Sequence, residues 1–140
     1  MTSLATPAEF GVYLGSFADT SYGLWWDGDH LFYERFSNGY QEPTQLRLSP
    51  SDAQWHRFWR TVDRIDVWSW HARYEAGTRF EPDAQTRDGT HWSVTLAHAG
   101  RSVETSGDSA GPGAVDLDES SAFAEFLDAV SRLIGGRPFR

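Results

Sequence analysis

Residues 27–39 read DGDHLFYERFSNG, and residues 88–100 read DGTHWSVTLAHAG. Asp, Gly and His recur at one spacing in the two stretches: Asp27 and Asp88, Gly28 and Gly89, His30 and His91. A second glycine follows 11 residues after the first in each, at Gly39 and Gly100. Such recurrence marks either one structural unit written twice or the trace of an active site. Asp-Gly and Asn-Gly are hairpin-turn dipeptides, because glycine reaches the positive φ that a tight turn requires. Beyond the turn, HWSVTLAH alternates, with Trp92, Val94 and Leu96 on one side and His91, Ser93 and Thr95 on the other. EFGVYLG alternates too, placing Phe10, Val12 and Leu14 together. Asp-Gly-x-His therefore reads as hairpin punctuation, with the histidines beginning strands.

Two segments switch to a helical period. In SPSDAQWHRFWRTVDRI (49–65), Trp55, Phe58, Trp59, Val62 and Ile65 form a single apolar stripe. Ser49 is the expected cap and Pro50 the first helical residue, where a missing N–H costs nothing. In DESSAFAEFLDAVSRLIGG (118–136), Phe123, Phe126, Leu127, Val130 and Leu133 repeat the stripe, with Asp118 or Ser120 as cap and Gly135 as stop. The two stripes align at an offset of 68 residues. Residues 9–65 and 67–134 then read as tandem β-β-β-β-α units, unless the turn dipeptides recur by chance. Either way the order of elements predicts an α+β fold in one domain, residues 1–140, with two helices packed on one face of an antiparallel sheet.

Composition narrows the function. The chain has 140 residues, a formal net charge of −8 and no cysteine, and all 12 of its basic residues are arginine. The acidic balance disfavours nucleic acid, and the missing lysine removes Schiff-base and P-loop chemistry. Without cysteine there is no disulfide, thiol nucleophile or thiolate metal site. The N-terminal MTSLATPAEF has no signal-like run and no stretch suits a bilayer, so a cytoplasmic location is expected and a membrane partner is not. Five histidines (His30, His56, His71, His91, His98) follow no metal-binding spacing, although His71 and His91 would be neighbours if their strands were adjacent. No local nucleophile signature occurs. No metal, cofactor or catalytic residue is expected, and an enzyme with a dispersed acid/His site is the third reading.

The aromatic content is the informative excess: seven Trp, nine Phe and five Tyr. Trp25 and Trp26 are adjacent, so a strand turns them to opposite faces. Phe32 lies opposite Leu31 and Tyr33 in the same way, and Trp68 and Trp70 share a face if their segment is extended. Helices cover one side of the sheet, so the other side keeps some rings unless loops 72–83 and 107–117 fold over them. Trp25, Trp26, Phe32, Trp68 and Trp70 are the candidate binding residues. Another protein, or a second copy of the chain, is the first expected partner, with an inhibitor or immunity-type factor as one form. A small-molecule or carbohydrate ligand is the second.

The stretch DVWSWHARYEAGTRFEPDAQTRDGTHWSVTLAHAGRSVETSG resembles a family of small uncharacterised bacterial proteins. Their pattern is V-W-x-W, a tyrosine, D-G-x-x-W, a glycine-rich loop and a final helix. The resemblance spans roughly residues 50–134 and implies the fold, but it carries over no functional residue. The loop GDSAGPGAVDLDE is longer here than the family pattern has it.

Overall fold

The computed structural model describes residues 5–16, 20–36, 44–75, 90–108 and 121–139. The strands are β1 (Glu9–Ser16), β2 (Ser21–Trp26), β3 (Leu31–Phe36), β4 (Thr44–Leu48), β5 (Arg73–Glu75), β6 (Thr90–His98) and β7 (Arg101–Asp108). The helices are α1 (Asp52–Arg64) and α2 (Ser121–Leu133), and a 3-10 turn covers Val67–Ser69. The strands form one sheet in the order β4-β3-β2-β1-β6-β7-β5. Every pairing is antiparallel except that of β5 with β7. The fold is α+β, as the alternation of apolar periods predicts.

Period-two patterning decides which face the helices cover. Phe10 and Val12 of β1, Tyr22 and Leu24 of β2, and Trp92, Val94 and Leu96 of β6 are all buried. Against them lie Trp55, Phe58, Trp59 and Val62 of α1 and Phe123, Phe126, Leu127 and Val130 of α2. Aromatic edges make several of the joins. Phe10 meets Trp55 at 5.6 Å, and Trp92 meets Phe123 at 4.8 Å. Thr105 is the polar intrusion on β7, and its hydroxyl donates to the carbonyl of His71, which removes the cost of burying it.

Local signals place the element ends. Ser51, not Ser49, caps α1: its hydroxyl accepts from the Gln54 N–H, while the Gln54 side chain accepts from the Ser51 N–H. This reciprocal box satisfies two donors where a lone serine satisfies one, so the helix starts two residues later and Pro50 lies outside it. The caps named for α2, Asp118 and Ser120, lie outside the described residues. At its end the Gly136 N–H donates to Ser131 and the Gly135 N–H to Arg132, a Schellman closure with both glycines at positive φ. The β6–β7 hairpin turns through Ala99 (φ 52°) and Gly100 (φ 81°), the primed geometry that suits twisted strands. Residues 27–30 close the β2–β3 hairpin as their Asp-Gly dipeptide predicts: the Asp27 N–H donates to the His30 carbonyl at 3.1 Å, and Gly28 has positive φ (108°). The Asp27 carboxylate accepts from the Asp29 and His30 N–H groups at 2.8 Å each. Those two bonds hold its pKa below the ordinary aspartate value. The dipeptides Asn38-Gly39 and Asp88-Gly89 lie outside the described residues.

A tandem repeat is not what the sheet shows. The first half runs as a meander from β1 to β4, but β6 takes β1 of the other half as its second neighbour. The V-W-x-W segment also departs from an extended reading. Asp66 is left-handed (φ 53°) and starts the 3-10 turn, in which residues three apart eclipse. Val67 and Trp70 therefore both point into the core, while Trp68 leaves sideways and stays half-buried.

The C-terminal tail closes the core beside β2 and β3. Phe139 is buried against Tyr22 at 5.4 Å, and the Tyr33 hydroxyl donates to the Pro138 carbonyl at 2.8 Å. Burial, with Tyr22 adding to it, pushes the Tyr33 pKa above its ordinary value of 10.0. A raised folded-state pKa gives stability that is complete below the unfolded value and lost as pH rises through the folded one. The stability of Tyr33→Phe is expected to fall less than wild type above about pH 10, and to be lower by about 1 kcal/mol at neutral pH. Urea titrations across the alkaline range check both; parallel pH curves would contradict the role given to Tyr33.

Candidate functional site: the open face of the sheet

The residues that alternate with the core positions make the second face. The register gives its first row as Arg47, Phe32, Trp25, Gly11, Thr95 and Glu104 from β4 across to β7. The next row is Gln45, Glu34, Gly23, Tyr13, Ser93 and Ser106. Large rings thus stand among very small residues. Trp25 and Tyr13 remain 40% and 41% exposed. These are the two most exposed aromatic side chains among the described residues, and both lie on this face.

The rings are held flat. Trp25 stacks on its cross-strand partner Phe32 at 5.7 Å with planes 15° apart. Such cross-strand aromatic pairs stabilise a sheet while presenting a broad apolar surface. Tyr13 lies along its own strand over Gly15, where an added Cβ would come within 2.5 Å of the phenol oxygen. Gly11, in contrast, has open space above it. The result is two shallow hollows on either side of Trp25. One, about 550 Å³, lies between the Trp25–Phe32 stack and Gln45, Leu46 and Arg47. The other, about 260 Å³, has Gly11 and Gly23 as floor and Tyr13, Trp25, Glu34 and Ser93 around it.

Polar groups rim the apolar centre. Glu34 accepts a long hydrogen bond from Gln45 at 3.4 Å, and Arg47 stands next to Phe32. Strand β4 borders the larger hollow and pairs with β3 alone among the described strands. Four of its residues, Thr44–Arg47, are exposed. Main-chain donors and acceptors therefore lie beside the exposed rings.

The five candidate residues do not converge. Trp25 and Phe32 form the open-face stack. Trp26 points the other way and meets Trp55 edge-on at 5.6 Å. Trp70 is only 9% exposed and packs against Trp92 and Phe126. Trp68 is anchored: its indole N–H donates to Asp63 at 2.8 Å, its ring stacks on Trp59, and the Arg101 guanidinium sits 5.0 Å from its centroid. Arg101 also pairs with Asp63 at 2.6 Å. Tyr13 is the open-face residue that the aromatic inventory missed. Its signal is in EFGVYLG, where period two sets Tyr13 between Gly11 and Gly15, opposite Phe10, Val12 and Leu14.

His71 precedes β5, which β7 separates from the β6 strand that holds His91, so the two are not on adjacent strands. Among the described residues no group of three or more His, Cys, Asp or Glu side chains is placed to hold a metal ion. No described helix is long and apolar enough to cross a membrane. No family model, curated protein or solved structure matches the chain.

Proposed function

We propose that this is a cytoplasmic, non-enzymatic domain that binds another protein through the open sheet face, with Trp25 as the anchor. The observation that carries the reading is the exposed Trp25–Phe32 stack, with Tyr13 one register row away. Trp and Tyr concentrate binding energy at protein interfaces, where a rigid ring fills a partner's recess at little entropic cost. The polar rim of Glu34, Gln45 and Arg47 has the makeup of an interface edge. A shallow, wide surface also suits a protein partner better than a small molecule, which needs most of its own surface enclosed.

Truncation of Trp25 provides the test. Trp25→Ala is expected to weaken the partner by about 2 kcal/mol, roughly 30-fold, and to change folding stability by less than about 1 kcal/mol. Retention of a protein from a cell lysate by wild type, its loss with Trp25→Ala and its persistence with Trp68→Ala would support the reading. Equal retention by all three would end it. Saturable binding of an oligosaccharide that quenches Trp25 fluorescence, with no protein retained, would instead favour the carbohydrate reading, since the same rings make a sugar-stacking surface.

A further inference from the structure

A second concave surface lies away from the sheet, in the groove between α1 and α2. The helices run antiparallel: the Gln54 amide reaches the Leu133 carbonyl at 3.4 Å, and Arg64 pairs with Glu125 at 3.3 Å toward the other end. The groove between these joins has a volume of about 560 Å³ and takes Arg57, Arg60, Arg64 and Arg132 along its walls. Ala129, Gly135 and Gly136 leave it room. Four of the chain's 12 basic residues therefore line one groove on a molecule whose formal net charge is −8.

The four arginines are exposed, and their spacing concentrates positive charge. Arg57, Arg60 and Arg64 stand three and four residues apart, where like charges on a helix repel. Arg132 brings a further positive charge from the facing helix. Glu125 answers Arg64, but Arg60 and Arg132 have no ion-pair partner among the described residues. Arginine presents a planar fork of donors that matches phosphoryl oxygens two at a time. From Arg57 to Arg64 the row extends about 10 Å along the helix axis, longer than one phosphate needs.

We infer that this groove binds a compact polyanion with two or more phosphoryl groups, held by Arg57, Arg60 and Arg132 in the space between the helices. The site is independent of the open sheet face. Free polyphosphates and nucleoside polyphosphates share the chemistry, and the test separates them.

Calorimetric titrations at constant ionic strength would use orthophosphate, tripolyphosphate and ADP as probes, because exposed charges respond to salt alone. Tripolyphosphate is expected to bind at least tenfold more tightly than orthophosphate. The double variant Arg60→Gln/Arg132→Gln is expected to lose at least tenfold in that affinity while keeping its circular dichroism spectrum. Trp25→Ala is expected to bind as wild type does. ADP binding more tightly than tripolyphosphate assigns the groove to nucleotides, and the reverse order assigns it to free polyphosphate. The inference is overturned if wild type gives no saturable heat with tripolyphosphate or ADP. It is equally overturned if the double variant binds unchanged, or if a hexaglutamate peptide binds more tightly than either phosphate probe.

Discussion

Replacing Trp59 with alanine is expected to destabilise the protein by about 3–5 kcal/mol, the range for truncating a large buried aromatic. Trp59 is 4% exposed and lies nearly parallel to three other rings: Trp55 at 6.0 Å, Trp68 at 6.1 Å and His98 at 4.2 Å. Its indole N–H donates to the Ala5 carbonyl at 2.6 Å, tying the N-terminal segment to α1. Alanine would empty the centre of that stack and leave a buried carbonyl without its donor, so the cavity and the lost hydrogen bond add. Trp59→Phe keeps a six-membered ring in the stack while losing the donor and the pyrrole portion of the indole, and is expected to cost less than Trp59→Ala. Urea unfolding of both variants measures the two losses. A loss under about 1 kcal/mol for Trp59→Ala would place this face of α1 outside the core.

Phe126→Ala should be comparably damaging, at about 3–5 kcal/mol, for a different reason. Phe126 is completely buried, and it lies 6.1 Å from Phe58 of α1 and 5.6 Å from Trp70 after the 3-10 turn. It joins three segments that are remote in sequence. Phe126→Leu nearly preserves volume and should cost less than about 1.5 kcal/mol. Combining Phe126→Ala with Phe58→Ala should show a coupling of about 0.5–3 kcal/mol, as contacting core residues do. Strict additivity of the pair in denaturant titrations would mean that the helices do not meet through these rings.

These costs contrast with the small stability change expected at Trp25, and the contrast follows from period two. Trp25 and Trp26 are chemically identical neighbours, yet one faces α1 and the other does not. The sequence states that they diverge; it does not state which of them faces the helices. Trp68 and Trp70 are a harder case. Their alternation with Ser69 mimics a strand, and the left-handed Asp66 that converts the segment into a 3-10 turn leaves no strong local mark, because aspartate is common in many turn types. Tyr13 alternates with Gly11 and Gly15, opposite Phe10, Val12 and Leu14, so period two places it on the face away from that apolar row.

By itself the sequence determined the local structure: two amphipathic helices, several half-buried strands, the turn at Asp27-Gly28 and the stop at Gly135. Each follows from residues within one turn of helix or one hairpin, where periodicity and backbone sterics act directly. Only the tertiary structure decided that β1 lies between β2 and β6. It alone set Trp25 on Phe32 across a strand pair, and it brought Arg132 to Arg57 and Arg60 across two antiparallel helices. Those juxtapositions depend on which elements pair and on how all the apolar faces are buried at once. Local spacing does not encode that choice, because residues far apart in the chain have no fixed distance until the core closes around them.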